Sequence, residues 1–216
     1  MTISRRQKRQ IVRFLQSGQI AHRVRRCGFT LVEVMVSMSI MAIAGAAILL
    51  GVQSAVKTAD ETVEQTIATG MARQLLGEVL GSRYATPGSG PYDVSAMGPS
   101  SREKLAAGRV MHDDTDDYLS VQDERPQDRW GSPLGHGDGS GNVRATPFAI
   151  RSGMLDNWRQ KVDIYYVSNS DPSVKMPPGK PSDYRAAEVY VYRIDSNGKK
   201  REVYRTRQVF TYLQSP

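Results

Sequence analysis

The 216-residue chain carries 29 Lys and Arg against 22 Asp and Glu, a formal charge of +7, and such an excess invites a polyanionic partner. Eight of those basic residues (Arg5, Arg6, Lys8, Arg9, Arg13, Arg23, Arg25, Arg26) lie in residues 1–28, where there is no acid, which leaves 21 basic against all 22 acidic side chains beyond them. A nucleic-acid partner is therefore not expected for the chain after residue 28. With the single cysteine at Cys27, that part also has neither a disulfide nor a thiolate metal site.

Phe29 to Val52 follows the basic segment with one charge, Glu33, and no proline. As a helix it measures about 36 Å, enough for a hydrocarbon core of about 30 Å. A secretory signal has an apolar region of only about 7–15 residues with its small cleavage-site residue behind it; here the run is longer and the small residue precedes it. Arg23, Arg25 and Arg26 hold the N-terminal side in the cytoplasm, so a single pass delivers the rest of the chain to the far side of the membrane.

Gly28-Phe29-Thr30-Leu31-Val32-Glu33 leads directly into this apolar run. That arrangement resembles the processing site of type IV pilins and of the pseudopilins of type II secretion. The resemblance implies that a prepilin peptidase cuts between Gly28 and Phe29 on the cytoplasmic face and methylates the new N-terminus at Phe29. It also implies other pilin or pseudopilin subunits, an inner-membrane assembly platform and the lipid bilayer as partners. The fold it implies is α+β and pilin-like, one long N-terminal helix packed on a C-terminal antiparallel sheet. The long leader and the absence of a proline from the membrane half point to a minor subunit.

Glu33 has its own physical logic. A carboxylate inside an apolar helix costs about 2.5–3.5 kcal/mol on insertion scales, so such a residue usually has a partner. The next charge along the chain is Lys57, far up the helix. The cation within reach is the amine that cleavage creates, and in a stack of subunits the amine of Phe29 on one protomer can approach Glu33 of its neighbour. Ser37, Ser39, Ala42, Ala44, Gly45, Ala46 and Ala47 are small enough for helices to approach closely.

From Gln53 the apolar residues Val56, Ala59, Val63, Ile67, Met71, Leu75, Leu76, Val79 and Leu80 recur at mostly three- and four-residue steps. This is the stripe of an amphipathic helix, expected to continue the membrane segment to about Ser82 and stop at Gly81 and the Pro87-Gly88 turn. Residues 83–143 are rich in Gly, Pro, Ser and Asp without periodicity and read as an irregular connection, with a helical piece at Arg102 to Val110. Residues 144–216 read as a sheet. Lys161 to Val167, Ala187 to Ile194 and Glu202 to Leu213 are its strands, Ala145 to Arg151 is a candidate fourth, and Asn197-Gly198 marks a hairpin turn. The organisation is thus a leader at 1–28, a membrane half at 29–52, an amphipathic half at 53–82, the connection at 83–143 and the sheet at 144–216.

Asp113, Asp114, Asp116 and Asp117 form the densest acidic run and offer the several oxygen ligands that calcium takes, although the spacing is not that of an EF-hand. Asp128-Arg129-Trp130-Gly131-Ser132-Pro133 resembles the Asp-Pro-Trp-Gly-x-Pro stretch of some pseudopilins, with Arg129 at the place of the proline. His112 and His136 are the only histidines after the leader, and without a nucleophile elbow, a zinc-helix motif or a phosphate loop they make no enzyme; no catalytic residue is expected. Trp130 and Trp158 read as packing residues. The expected function is that of a structural filament subunit. The alternative is a membrane-anchored periplasmic binding protein whose acidic loop takes a cation or ligand.

Overall fold

The computed structural model describes residues 28–213. Expectations placed on residues 1–27 lie outside the described residues, including the basic leader, Cys27 and the arginines Arg23, Arg25 and Arg26. Two compact units divide the chain, one ending at Ala55 and the other starting at Val56. Helix α1, Leu31–Leu80, contributes to both.

In the first unit α1 is apolar on every face and buries nothing: Leu31, Met41 and Ile43 are 78, 79 and 71 % exposed. It is long and apolar enough to cross a membrane by length and composition. Gly45 and Gly51 do not interrupt it, because an isolated glycine lowers helix propensity without removing a backbone hydrogen bond.

The second unit is an α+β domain. Its sheet has the order β1-β2-β3, with β1 Trp158–Val167, β2 Tyr184–Ile194 and β3 Lys200–Thr211, each pair antiparallel. All three expected strands form, and β1 and β2 each begin three residues earlier than the β-branched and aromatic runs indicate. Ala145 to Arg151 is not a fourth strand. Thr146–Phe148 forms a 3-10 turn there, and Pro147 supplies no amide to a ladder. Arg102 to Val110 is likewise not a helix apart from a 3-10 turn at Glu103–Leu105.

The stretch of α1 in this unit buries Glu64, Ala68, Met71, Ala72, Leu75 and Val79. Sequence periodicity placed Val56 and Val63 on the same stripe, but both are more than half exposed; the packed face is turned toward Ala68 and Ala72, whose small side chains let a sheet come close. Facing them are Trp158, Val162 and Ile164 of β1, Ala187, Val189 and Val191 of β2, and Val203 of β3. Tyr190 and Tyr192 therefore lie on the outer face of the sheet, their rings stacked 6.1 Å apart. In the β2–β3 turn Gly198 alone takes a positive φ, +74°, and its amide donates to the Asp195 carbonyl at 2.8 Å. Asn197 does not adopt the left-handed conformation that a two-residue Asn-Gly turn requires.

The irregular connection is held by buried charge and by close backbone contact. Arg109 is almost fully buried. It donates from Nε to Glu78 of α1 at 3.0 Å and from Nη2 to the Gln127 carbonyl at 2.9 Å. Gly108 (φ +63°) is pressed so close to Gly131 that an added Cβ would stand 2.4 Å from the Gly131 nitrogen, so no other residue fits there. Trp158 lies in the core, while Trp130 lies over Gly141 at the edge; both act in packing.

Candidate functional site

The residues expected to be processed begin the described chain. Gly28, Phe29 and Thr30 are outside α1 and exposed, and Phe29 is 75 % exposed. Thr30 is the N-cap: its carbonyl accepts the amide of Val34 at 3.1 Å and its hydroxyl oxygen accepts the amide of Glu33 at 3.2 Å. Glu33 thus occupies the third helical position of a Thr-x-x-Glu capping box, where a negative side chain is favoured by the helix dipole. It is exposed, and α1 carries no other charge before Lys57, which meets Glu61 four residues on at 4.0 Å.

The four aspartates of the acidic run do not converge as a set. Asp116 is spent on the fold. Its Oδ1 pairs with Arg185 at 2.9 Å, both side chains at most 2 % exposed, and its Oδ2 accepts the Gly98 amide at 2.9 Å. Asp114 turns Oδ1 to the amides of Asp116 and Asp117 and accepts the Thr86 hydroxyl on Oδ2 at 2.7 Å. Asp117 accepts the amides of Asp113 and Asp114. The carboxylates that do gather are Asp113, Asp117 and Glu103, with ligand oxygens within 4.8 Å of one another. Glu103 was not legible as a member, because it lies fourteen positions before Asp117 along irregular chain. A hard cation at this place would meet these three, not the four adjacent aspartates.

Burial, and then the neighbouring Asp114 charge, push the Asp117 carboxyl up to about 7 from its ordinary 3.8. A carboxyl raised on folding holds a proton that the unfolded chain releases, so its stabilising contribution is present below 3.8 and is lost as pH rises through about 7. Asp117→Asn cannot ionise and keeps an oxygen for the two amides. Thermal unfolding of this variant is expected to show a higher melting temperature than the parent at pH 8, with the gap opening as pH rises from about 4 to about 7. Parallel profiles would contradict the assignment.

His112 is buried with its ring edge-on to Tyr118, centroids 5.1 Å apart, and burial, followed by the Arg109 charge, holds its pKa below the ordinary value. Ser120 lies 3.4 Å from its Nε2, but that hydroxyl donates to the Asp117 carbonyl at 2.7 Å. His136 lies in a separate hairpin, its amide bonded to the Pro133 carbonyl.

Compared with known families, the chain matches the prokaryotic N-terminal methylation motif over residues 23–49. This is the signature of type IV pilins and pseudopilins. It covers Gly28 to Glu33 and most of the apolar part of α1. No curated protein and no solved structure matches the chain.

Proposed function

We propose that the protein is a filament subunit, a minor pilin or a pseudopilin of a type IV pilus or type II secretion apparatus. The precursor waits in the inner membrane with its N-terminus in the cytoplasm and its head in the periplasm. A prepilin peptidase hydrolyses the Gly28–Phe29 bond and methylates the Phe29 amine. The inner-membrane assembly platform then moves the subunit from the bilayer into the pilus or pseudopilus.

The observation that carries this reading is the start of α1. Residues Leu31 to Val52 are apolar on all faces and bury nothing in the monomer, and their one charge, Glu33, stands a single turn from the scissile bond. Lipid solvates such a surface before assembly, and neighbouring helices of the same kind solvate it afterwards. The methylation motif belongs to structural subunits and supports the same reading. Mass spectrometry of the protein from its native host tests it. The expected N-terminus is methylated Phe29; a chain still beginning at Met1 would leave only a tethered head.

A further inference from the structure

We propose that Thr30 is a positioning residue for the processing step: by capping α1 it keeps the Gly28–Phe29 bond out of the helix, in the open form a peptidase requires. The inference rests on the processing reading above and names a residue that works within it.

The geometry is a competition for one amide. Were α1 one residue longer, the Glu33 amide would donate to the Phe29 carbonyl. Instead it donates to the Thr30 hydroxyl oxygen at 3.2 Å, while the Val34 amide takes the Thr30 carbonyl at 3.1 Å. Among the described residues, no backbone amide donates to the carbonyl of Gly28 or of Phe29. Hydrolysis adds water across the Gly28 carbonyl carbon and the Phe29 nitrogen, leaving a carboxylate on Gly28 and an amine on Phe29. A peptidase must reach that carbonyl and the backbone beside it; one more residue of helix would tie up the Phe29 carbonyl, and a second, through the Val32 amide, the Gly28 carbonyl itself.

Two neighbours stand at the positions that commonly reinforce such a stop. Phe29 stands at the position before the cap and Val34 at the fourth helical position, the pair that closes a hydrophobic staple, and Val34 is the least exposed large apolar residue between Phe29 and Val52. Phe29, Thr30, Glu33 and Val34 thus occupy the four positions of a capping box and staple immediately downstream of the cut, with the Thr30 hydroxyl holding the Glu33 amide.

The test follows cleavage of the full-length chain, in detergent, by a prepilin peptidase, alongside hydrogen exchange at the Glu33 amide. Thr30→Val keeps the shape and loses the acceptor; it is expected to lower kcat/KM for cleavage about five-fold, the population change a lost N-cap produces, and to speed exchange at Glu33. Thr30→Ser and Thr30→Asn are caps of similar strength and should restore both readings to within about two-fold. Unchanged cleavage of the valine variant would overturn the proposal. So would an asparagine variant that protects the Glu33 amide yet is cut as slowly as the valine one, since the enzyme would then be reading the threonine itself. A wild-type chain that is not cut at all would overturn this inference and the processing reading together, a pattern distinct from the other two.

Discussion

Glu33→Gln is expected to leave membrane insertion intact and to abolish incorporation into filaments. Glutamine serves in a capping box as glutamate does, so the helix start held by Thr30 and the third helical position survives while the charge is lost. Removing a carboxylate worth about 2.5–3.5 kcal/mol of insertion cost should, if anything, raise the membrane-bound amount. On the filament reading proposed above, what disappears is the partner of the Phe29 amine on the adjoining protomer. Breaking a desolvated pair by deleting one member costs about 3–5 kcal/mol, which corresponds to a loss of about 100-fold or more in the assembled population. Membrane fractionation read beside a sheared-filament assay checks both halves of the statement. Normal filaments from this variant would mean that Glu33 acts only in starting the helix.

Arg185→Met is expected to be the most damaging single change in the head. The guanidinium bonds Asp116 at 2.9 Å, the Tyr84 carbonyl at 2.6 Å and the Tyr166 hydroxyl at 2.7 Å, and it lies over the rings of Tyr84 and Tyr166, 4.4 and 4.8 Å from their centroids. One side chain of β2 thereby ties the start of the connection, its acidic turn and β1 to one another. Methionine fills much of the volume but leaves Asp116 buried without a cation, at a cost of about 3–5 kcal/mol. The melting temperature of the full chain in detergent should fall by on the order of 10 °C. Asp116→Leu combined with Arg185→Met removes both charges and should recover most of that loss, as apolar replacements of buried pairs often do. A double variant no better than the single one would place the stability in the tyrosine contacts instead.

These two residues also mark how far the sequence could be read. Leu31 to Val52 was legible because a helix apolar on every face over that length needs an apolar solvent around it, and β1 to β3 because Val, Ile and Tyr cluster between turn residues. The organisation of residues 83–143 was not legible. Arg109 and Arg185 are among the most deeply buried large side chains, and a lone arginine in sequence reads as solvent-facing. Asp116 appeared as one ligand among four when it is the counter-charge of Arg185. The packed face of α1 was half legible: Met71, Leu75 and Val79 gave its direction, but Ala68 and Ala72 carry too little apolar surface to outweigh Val56 and Val63 in a periodicity argument. Thr30 and Glu33 stand at capping-box spacing, but a threonine beside an apolar run carries no signal of its own until the helix start is placed.

Strand β3 lies at the border of the sheet, and its outer side meets no further strand among the described residues. A long run of backbone without a ladder partner invites a stranger to bind there. Lys200, Arg201, Arg205 and Arg207 crowd this strand against one acid, Glu202. Two such borders meeting would have to break or desolvate the ion pairs that hold Lys200 to Asp123, Arg201 to Glu64 and Arg205 to Glu188. Heads brought side by side at high local density, as the proposed filament would bring them, would thus be deterred from zipping together through their sheets, leaving recognition to surfaces other than naked backbone.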